Sequence, residues 1–174
     1  MLFMSLGNSF KDKIYRCEDC DMKYLISACL ANLPVRYDGK GYYFEKISEL
    51  LQNQQAITVC PEILGGLATP RLAAEIVNGT AQDVLNGIAQ VIDSQGNDVT
   101  QAFIDGAQKA LEIAKKYQVS IVVLKENSPS CGSNFIYDGT FSGTKISGLG
   151  ITASLLRQHD FQVISEDDFL KSLD

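Results

Sequence analysis

The sequence predicts an α/β domain of three layers, a mostly parallel sheet flanked by helices, on three observations. Strand-like runs alternate with helix-like segments: KYLISAC (23–29), AITVC (56–60), VSIVVLK (119–125) and FQVIS (161–165) are separated by helical patterns. These runs are apolar throughout rather than alternating, which suits strands covered on both faces. The segments between them are long enough to hold helices, which implies parallel pairing through crossovers on both faces of one sheet. A chain of 174 residues fits a single domain of this kind, with 23–174 as the body and the polar residues 1–22 as an N-terminal extension.

The elements follow in order. YYFEKISELLQN (42–53) places Tyr43, Ile47, Leu50 and Leu51 at helical spacing. PEILGGLATPR (61–71) reads as a loop with two adjacent glycines, and RLAAEIVNG (71–79) as a short helix ended by Gly79. IAQVI (88–92) is a short peripheral strand, and DSQGND turns the chain. Asp98 and Thr100 offer N-caps for a long helix over 100–118. Its residues Phe103, Ile104, Ala107, Leu111 and Ala114 form one apolar face, and its lysines lie late, where they suit the helix dipole. Residues 126–148 read as a long loop rich in Gly, Ser and Asn. GITASLLRQHD (150–160) is a helix, and EDDFLKSLD (166–174) a terminal one.

Composition sets limits on function. Apolar residues make up 45% and charged residues 21%, ordinary for a soluble globular protein. No run approaches the length of a membrane helix. The N-terminus lacks the charge-then-apolar order of a signal peptide, so a cytoplasmic location is expected. A net charge of −6 argues against wrapping a nucleic-acid backbone, which needs a basic surface, but leaves a small uncharged substrate open.

The cysteines point to chemistry. There are five, Cys17, Cys20, Cys29, Cys60 and Cys131, and one histidine, His159. The odd count in a cytosolic setting argues for metal ligands, a nucleophile or core residues rather than disulfides. Cys29 and Cys60 end the first two predicted strands, and Cys131 lies in the loop KENSPSCGSN (125–134) after the third. In an open parallel sheet all strand ends share one edge, where ligands bind, so three distant cysteines are expected to meet there. Three thiolates suit zinc with a water or a fourth cysteine. They also suit a [4Fe–4S] cluster with one iron left open as a Lewis acid. The plain alternative is that Cys29 and Cys60 are small buried hydrophobes. Glu62, two residues after Cys60, is placed to move protons, and Ser128 to orient a water or substrate. Their ordinary readings are a solvated loop acid and a turn residue before Pro129. Gly132 is expected to let the backbone approach a cluster closely. Ser27, Arg36, Lys125 and Ser130 are candidate substrate contacts, Arg36 and Lys125 by offsetting negative charge.

The motifs SAC (27–29), RYDG (36–39), CPEILGGLATPR (60–71), DVT (98–100), LKENSPSCG (124–132), IYDGTFSG (136–143) and GLGITASLL (148–156) together resemble the thiouracil desulfidase family. The resemblance covers roughly residues 23–166. It implies a [4Fe–4S] cluster held by Cys29, Cys60 and Cys131, with Glu62 as catalytic acid and Ser128 as catalytic serine. The implied substrate is a small thiolated nucleobase such as thiouracil, converted to the oxo-base with release of sulfide. A non-catalytic iron–sulfur or sulfur carrier, a redox sensor and a zinc-binding structural module use the same cysteines and are the alternatives. CEDC (17–20) lies outside the resemblance and is read as peripheral. GLGITA (148–153) fits half a dinucleotide fingerprint but lacks a preceding strand, so it reads as glycine turns entering a helix. His159 reads as a surface residue.

Overall fold

The computed structural model describes residues 23–173, so the 1–22 extension with Cys17 and Cys20 lies outside the described residues. Four parallel strands, β1 (Tyr24–Ser27), β2 (Ala56–Val59), β5 (Ile121–Leu124) and β8 (Gln162–Ser165), form the main sheet in the order β2-β1-β5-β8. Each coincides with a predicted run. The register is continuous across the sheet, with Leu25 opposite both Ile57 and Val122, and Val122 opposite Val163. The order reverses between β1 and β5, which is where open α/β sheets form their crevice.

Successive strand residues point to opposite faces, and each face has its own core. Leu25, Val122 and Leu124 pack with Ala110, Leu111 and Ala114 of α4 (Thr100–Lys116) and Leu156 of α5 (Ile151–Gln158). Ile26 and Val123 pack with Ile47 of α1 (Glu45–Gln52) and Phe169 of α6 (Glu166–Lys171). That arrangement is the expected three-layer α/β domain. Asp98 does not occupy the cap position of α4, which falls on Val99; instead Asp98 Oδ1 accepts the amide of Thr100 at 2.9 Å.

Three segments differ from their sequence readings. The stretch 61–71 is not all loop, because Pro61–Leu64 forms a one-turn helix with Pro61 at its first position, too short to show a period. Residues 71–79 do not form a helix. Ala74–Val77 is a strand, β3, antiparallel to β4 (Gln90–Asp93) in a separate two-stranded sheet. The β-branched Ile76 and Val77 pair with Val91 and Gln90, and this pairing outweighs a weak helical pattern. The reading of 126–148 as one loop also fails. It contains a hairpin of β6 (Phe135–Tyr137) and β7 (Lys145–Ser147), whose strands are too short and polar to show a period. Two short helices, α2 (Pro61–Leu64) and α3 (Ala81–Leu85), complete the described elements, and a capping box between Thr80 and Asp83 starts the second.

The placement of α2 matters for the site. A β-carbon on Gly65 would overlap the carbonyl oxygen of Ala102, and one on Gly106 would overlap that of Pro61. Helices α2 and α4 therefore touch backbone to backbone, which fixes the segment that bears Cys60 and Glu62. Lys109 Nζ donates to the Leu64 carbonyl at 2.8 Å and closes the end of α2. Gly106→Ala is expected to lower stability by about 1–3 kcal/mol through overpacking. Gln108→Ala on the exposed side should stay within about 0.5 kcal/mol. Thermal denaturation of the two variants checks the difference.

Candidate functional site

Cys29 follows β1 in a short 3-10 turn (Ala28–Ala31), Cys60 is the N-cap position of α2 after β2, and Cys131 lies in the loop after β5. All three thiols are free and line one cavity of about 650 Å³ together with Ser27, Arg36, Glu62, Lys125 and Ser128. The sheet thus brings together eight of the nine candidate residues. The exception is Ser130. It is fully buried, its hydroxyl pairs with Thr152 Oγ1 at 2.8 Å, and it stands outside the cavity lining. Its adjacency to Cys131 in sequence did not carry its side chain to the same side.

Glu62 is the hub of the polar contacts. Cys60 Sγ donates to Glu62 Oε2 at 3.4 Å, and Ser128 Oγ donates to Glu62 Oε1 at 3.4 Å. The guanidinium of Arg71 stands 3.6 Å from the same Oε1, both side chains only 12% exposed. Ser128 accepts the amides of Ser130 and Cys131, each at 3.1 Å. Its lone pairs are thus occupied by the loop and its proton is aimed at Glu62. The turn role and the site role of Ser128 are one and the same arrangement.

The thiols are strongly weakened as acids. Burial pushes Cys29 up to about 12, the charge of Glu62 adds to this, and Lys125 and Arg36 oppose it. Burial and then Glu62 push Cys60 up to about 12. Burial, Glu62 and Cys29 raise Cys131 well above the ordinary thiol range, against a hydrogen bond from Ser27. Without a cationic group among them, these are protonated thiols and poor nucleophiles at neutral pH. Binding a metal group displaces the protons and supplies the missing positive charge.

The charged residues at the cavity wall are themselves paired. Arg36 lies 3.4 Å from Asp38, stacks over Tyr42 at 4.7 Å and hydrogen-bonds its hydroxyl. Lys125 pairs with the buried Glu166 and lies 5.4 Å from the other cation's ring partner, Tyr42. The Lys125 amide donates to Ser27 Oγ at 3.0 Å, tying β5 to the end of β1.

Three further residues hold the site and were missed in the sequence. Glu126 is buried, and its Oε1 accepts the amides of Ser133, Asn134 and Phe135 at 3.0, 3.1 and 2.9 Å, closing the loop that presents Ser128 and Cys131. Glu166 accepts the Glu126 amide at 2.7 Å. Arg71 donates to the Val35 carbonyl at 3.0 Å besides pairing Glu62. An acid at the head of a Gly- and Ser-rich loop was the one available signal, since such a loop needs acceptors for its amides. The loop itself requires glycine at 132, because a β-carbon there would press on the carbonyl oxygens of Phe135 and Ser128.

The chain also has relatives. A family model described as 2-thiouracil desulfurase matches residues 24–168. An uncharacterized protein of Bacillus subtilis (strain 168), YbbK, is 52% identical over 144 residues, covering 83% of this chain and 95% of the relative. A solved structure of a [4Fe-4S]-dependent thiouracil desulfidase, TudS, superposes with a TM-score of 0.76 at 40% identity, over 86% of this chain and 93% of its own.

Two outcomes follow from this geometry. Glu126→Ala leaves three loop amides without their acceptor, that of Ser133 buried, and is expected to cost at least about 2 kcal/mol, read by denaturant unfolding. In metal-free protein near pH 8, iodoacetamide should label Cys29, Cys60 and Cys131 at least about 100-fold more slowly than an ordinary thiol. Peptide mass spectrometry checks this, with full labelling in denaturant.

Proposed function

Because the chain belongs to the 2-thiouracil desulfurase family, we propose that it is a [4Fe–4S]-dependent desulfidase that replaces the sulfur of a thiolated nucleobase with oxygen. The observation that supports this most is the meeting of three strand-end cysteines with Glu62 and Ser128 in one cavity. The solved relative, TudS, is described as [4Fe-4S]-dependent, and the donor set here suits the same group. Cys29, Cys60 and Cys131 would hold it, and the lone histidine, His159, caps α5 outside the cavity lining. Among the described residues, no three His, Cys, Asp or Glu side chains close around a single metal ion. With three protein ligands a cluster keeps one open corner and, when bound, supplies a sulfur-seeking Lewis acid there.

The chain's own residues handle the water and the protons. A water beside the Glu62 carboxylate gives it a proton as it attacks the thiocarbonyl carbon, and the Ser128 hydroxyl, donating to the same carboxylate, holds it in place. Arg71 keeps the carboxylate aimed. When the C–S bond breaks, Glu62 returns that proton to the departing sulfur, and the hydroxyl left on carbon passes its own proton to the sulfur through the same carboxylate as the carbonyl forms. The balance is thiocarbonyl plus water to carbonyl plus hydrogen sulfide, with no net oxidation or reduction. A carrier or redox sensor would have no work for Glu62 and Ser128 at this position, and the protonated thiols argue against a sensor built on a reactive thiolate.

Anaerobic reconstitution followed by a sulfide-release assay on 2- and 4-thiouracil tests the proposal. Glu62→Gln is expected to lower kcat by about 10²–10⁴-fold while keeping the iron–sulfur absorbance. Cys131→Ser should lose both. Undiminished turnover by cluster-free protein would refute the iron role, and a loaded protein that releases no sulfide would end the desulfidase reading.

A further inference from the structure

Beyond the cysteines, the same cavity is lined by Leu72, Val99, Phe103, Tyr137 and Phe141, which the sulfur chemistry does not use. Phe141 is unusual among them. It sits in the turn between β6 and β7 at a φ of +57°, a left-handed conformation that bulky side chains avoid. The turn is built to hold it there. Glu75 is buried, and its Oε2 accepts the amides of Gly139 at 2.8 Å and Phe141 at 3.1 Å. Gly139 presses so closely on β3 that a β-carbon would overlap the carbonyl oxygen of Ile76. A chain of hydroxyl contacts from Asp138 through Thr140 and Ser142 to Thr144, at 2.6–2.8 Å, stiffens the rest. Yet Phe141 as a residue is 41% exposed, and it has no aromatic partner among the described residues. Burying this ring therefore does not account for the strained backbone and the buried carboxylate that support it. Such strain at a cavity wall points to a ligand.

We infer that Phe141 is a specificity-determining residue that stacks on the flat ring of the substrate, and that Glu75 is the positioning residue that holds it against the cavity. The inference rests on the desulfidase reading, which supplies a planar heteroaromatic ring as the occupant. Stacking reads planarity rather than hydrogen-bonding edges, so it distinguishes uracil from dihydrouracil, whose saturated C5–C6 bond puckers the ring.

The test uses anaerobically reconstituted protein and two readouts: steady-state kinetics with 2-thiouracil, and calorimetric binding of uracil and dihydrouracil. Phe141→Ala is expected to raise KM and the uracil Kd about tenfold while kcat stays within about twofold. The preference for uracil over dihydrouracil should largely vanish, and Phe141→Tyr should restore it. Glu75→Gln should raise KM alone, and should add less than about twofold on top of Phe141→Ala, because it acts through that ring. A merely structural glutamate would add its full effect in both backgrounds, and that result overturns the positioning role. A Phe141→Ala protein with unchanged KM, Kd and uracil preference, beside an active wild type, overturns the inference alone. A loaded wild type that neither turns over 2-thiouracil nor binds uracil overturns the desulfidase reading and this inference with it.

Discussion

Parallel strands are joined only by crossovers, and crossovers return every strand to the same starting edge. All four strands of the main sheet therefore end on one side, and whatever follows a strand end is gathered there regardless of distance in sequence. Cys29, Cys60 and Cys131 follow three adjacent strands in the sheet, β1, β2 and β5, on the two sides of the point where the strand order reverses. The cavity is thus a consequence of topology before it is a consequence of any side chain. The backbone contact of α2 with α4 then sets how deeply the Cys60–Glu62 segment enters it.

Within that cavity one carboxylate sets the electrostatics. Glu62 raises all three thiols, accepts from Cys60 and Ser128, and is balanced by Arg71. Burial together with this carboxylate keeps the three thiols protonated despite the cations at the cavity wall. Binding a metal group displaces the thiol protons and supplies positive charge beside the carboxylate. Lys125 and Arg36 contribute less to this balance than free cations would, since each is already paired with an acid and shares the Tyr42 ring.

Buried acids also replace regular structure where the chain has little. The segments 126–135 and 138–144 carry amides that no ladder satisfies, and each is gathered onto a glutamate, Glu126 for the first and Glu75 for the second. A carboxylate accepting several amides is stable when buried because each donor offsets part of its charge. Loops of this kind are rigid without secondary structure, and so they can present Ser128, Cys131 and Phe141 in fixed positions.

The sequence by itself determined the four main strands, the helices α1, α4, α5 and α6, and the edge on which the cysteines meet. All of these are written in local hydrophobic period and in the rule that parallel strands end together. Family-like motifs pointed to Glu62 and Ser128 as well. Only the tertiary structure decided that residues 74–77 pair as a strand, that Ser130 turns away to Thr152, and that Gly132 serves the loop. It alone disclosed Arg71, Glu126, Glu166 and Glu75. Glu166 and Glu75 depend on contacts between residues far apart in the chain, 40 positions for Glu126 and Glu166 and 64 for Gly139 and Glu75. A short-range pattern holds no information about which distant backbone amide a given carboxylate will meet, because that is settled by packing after the elements have formed.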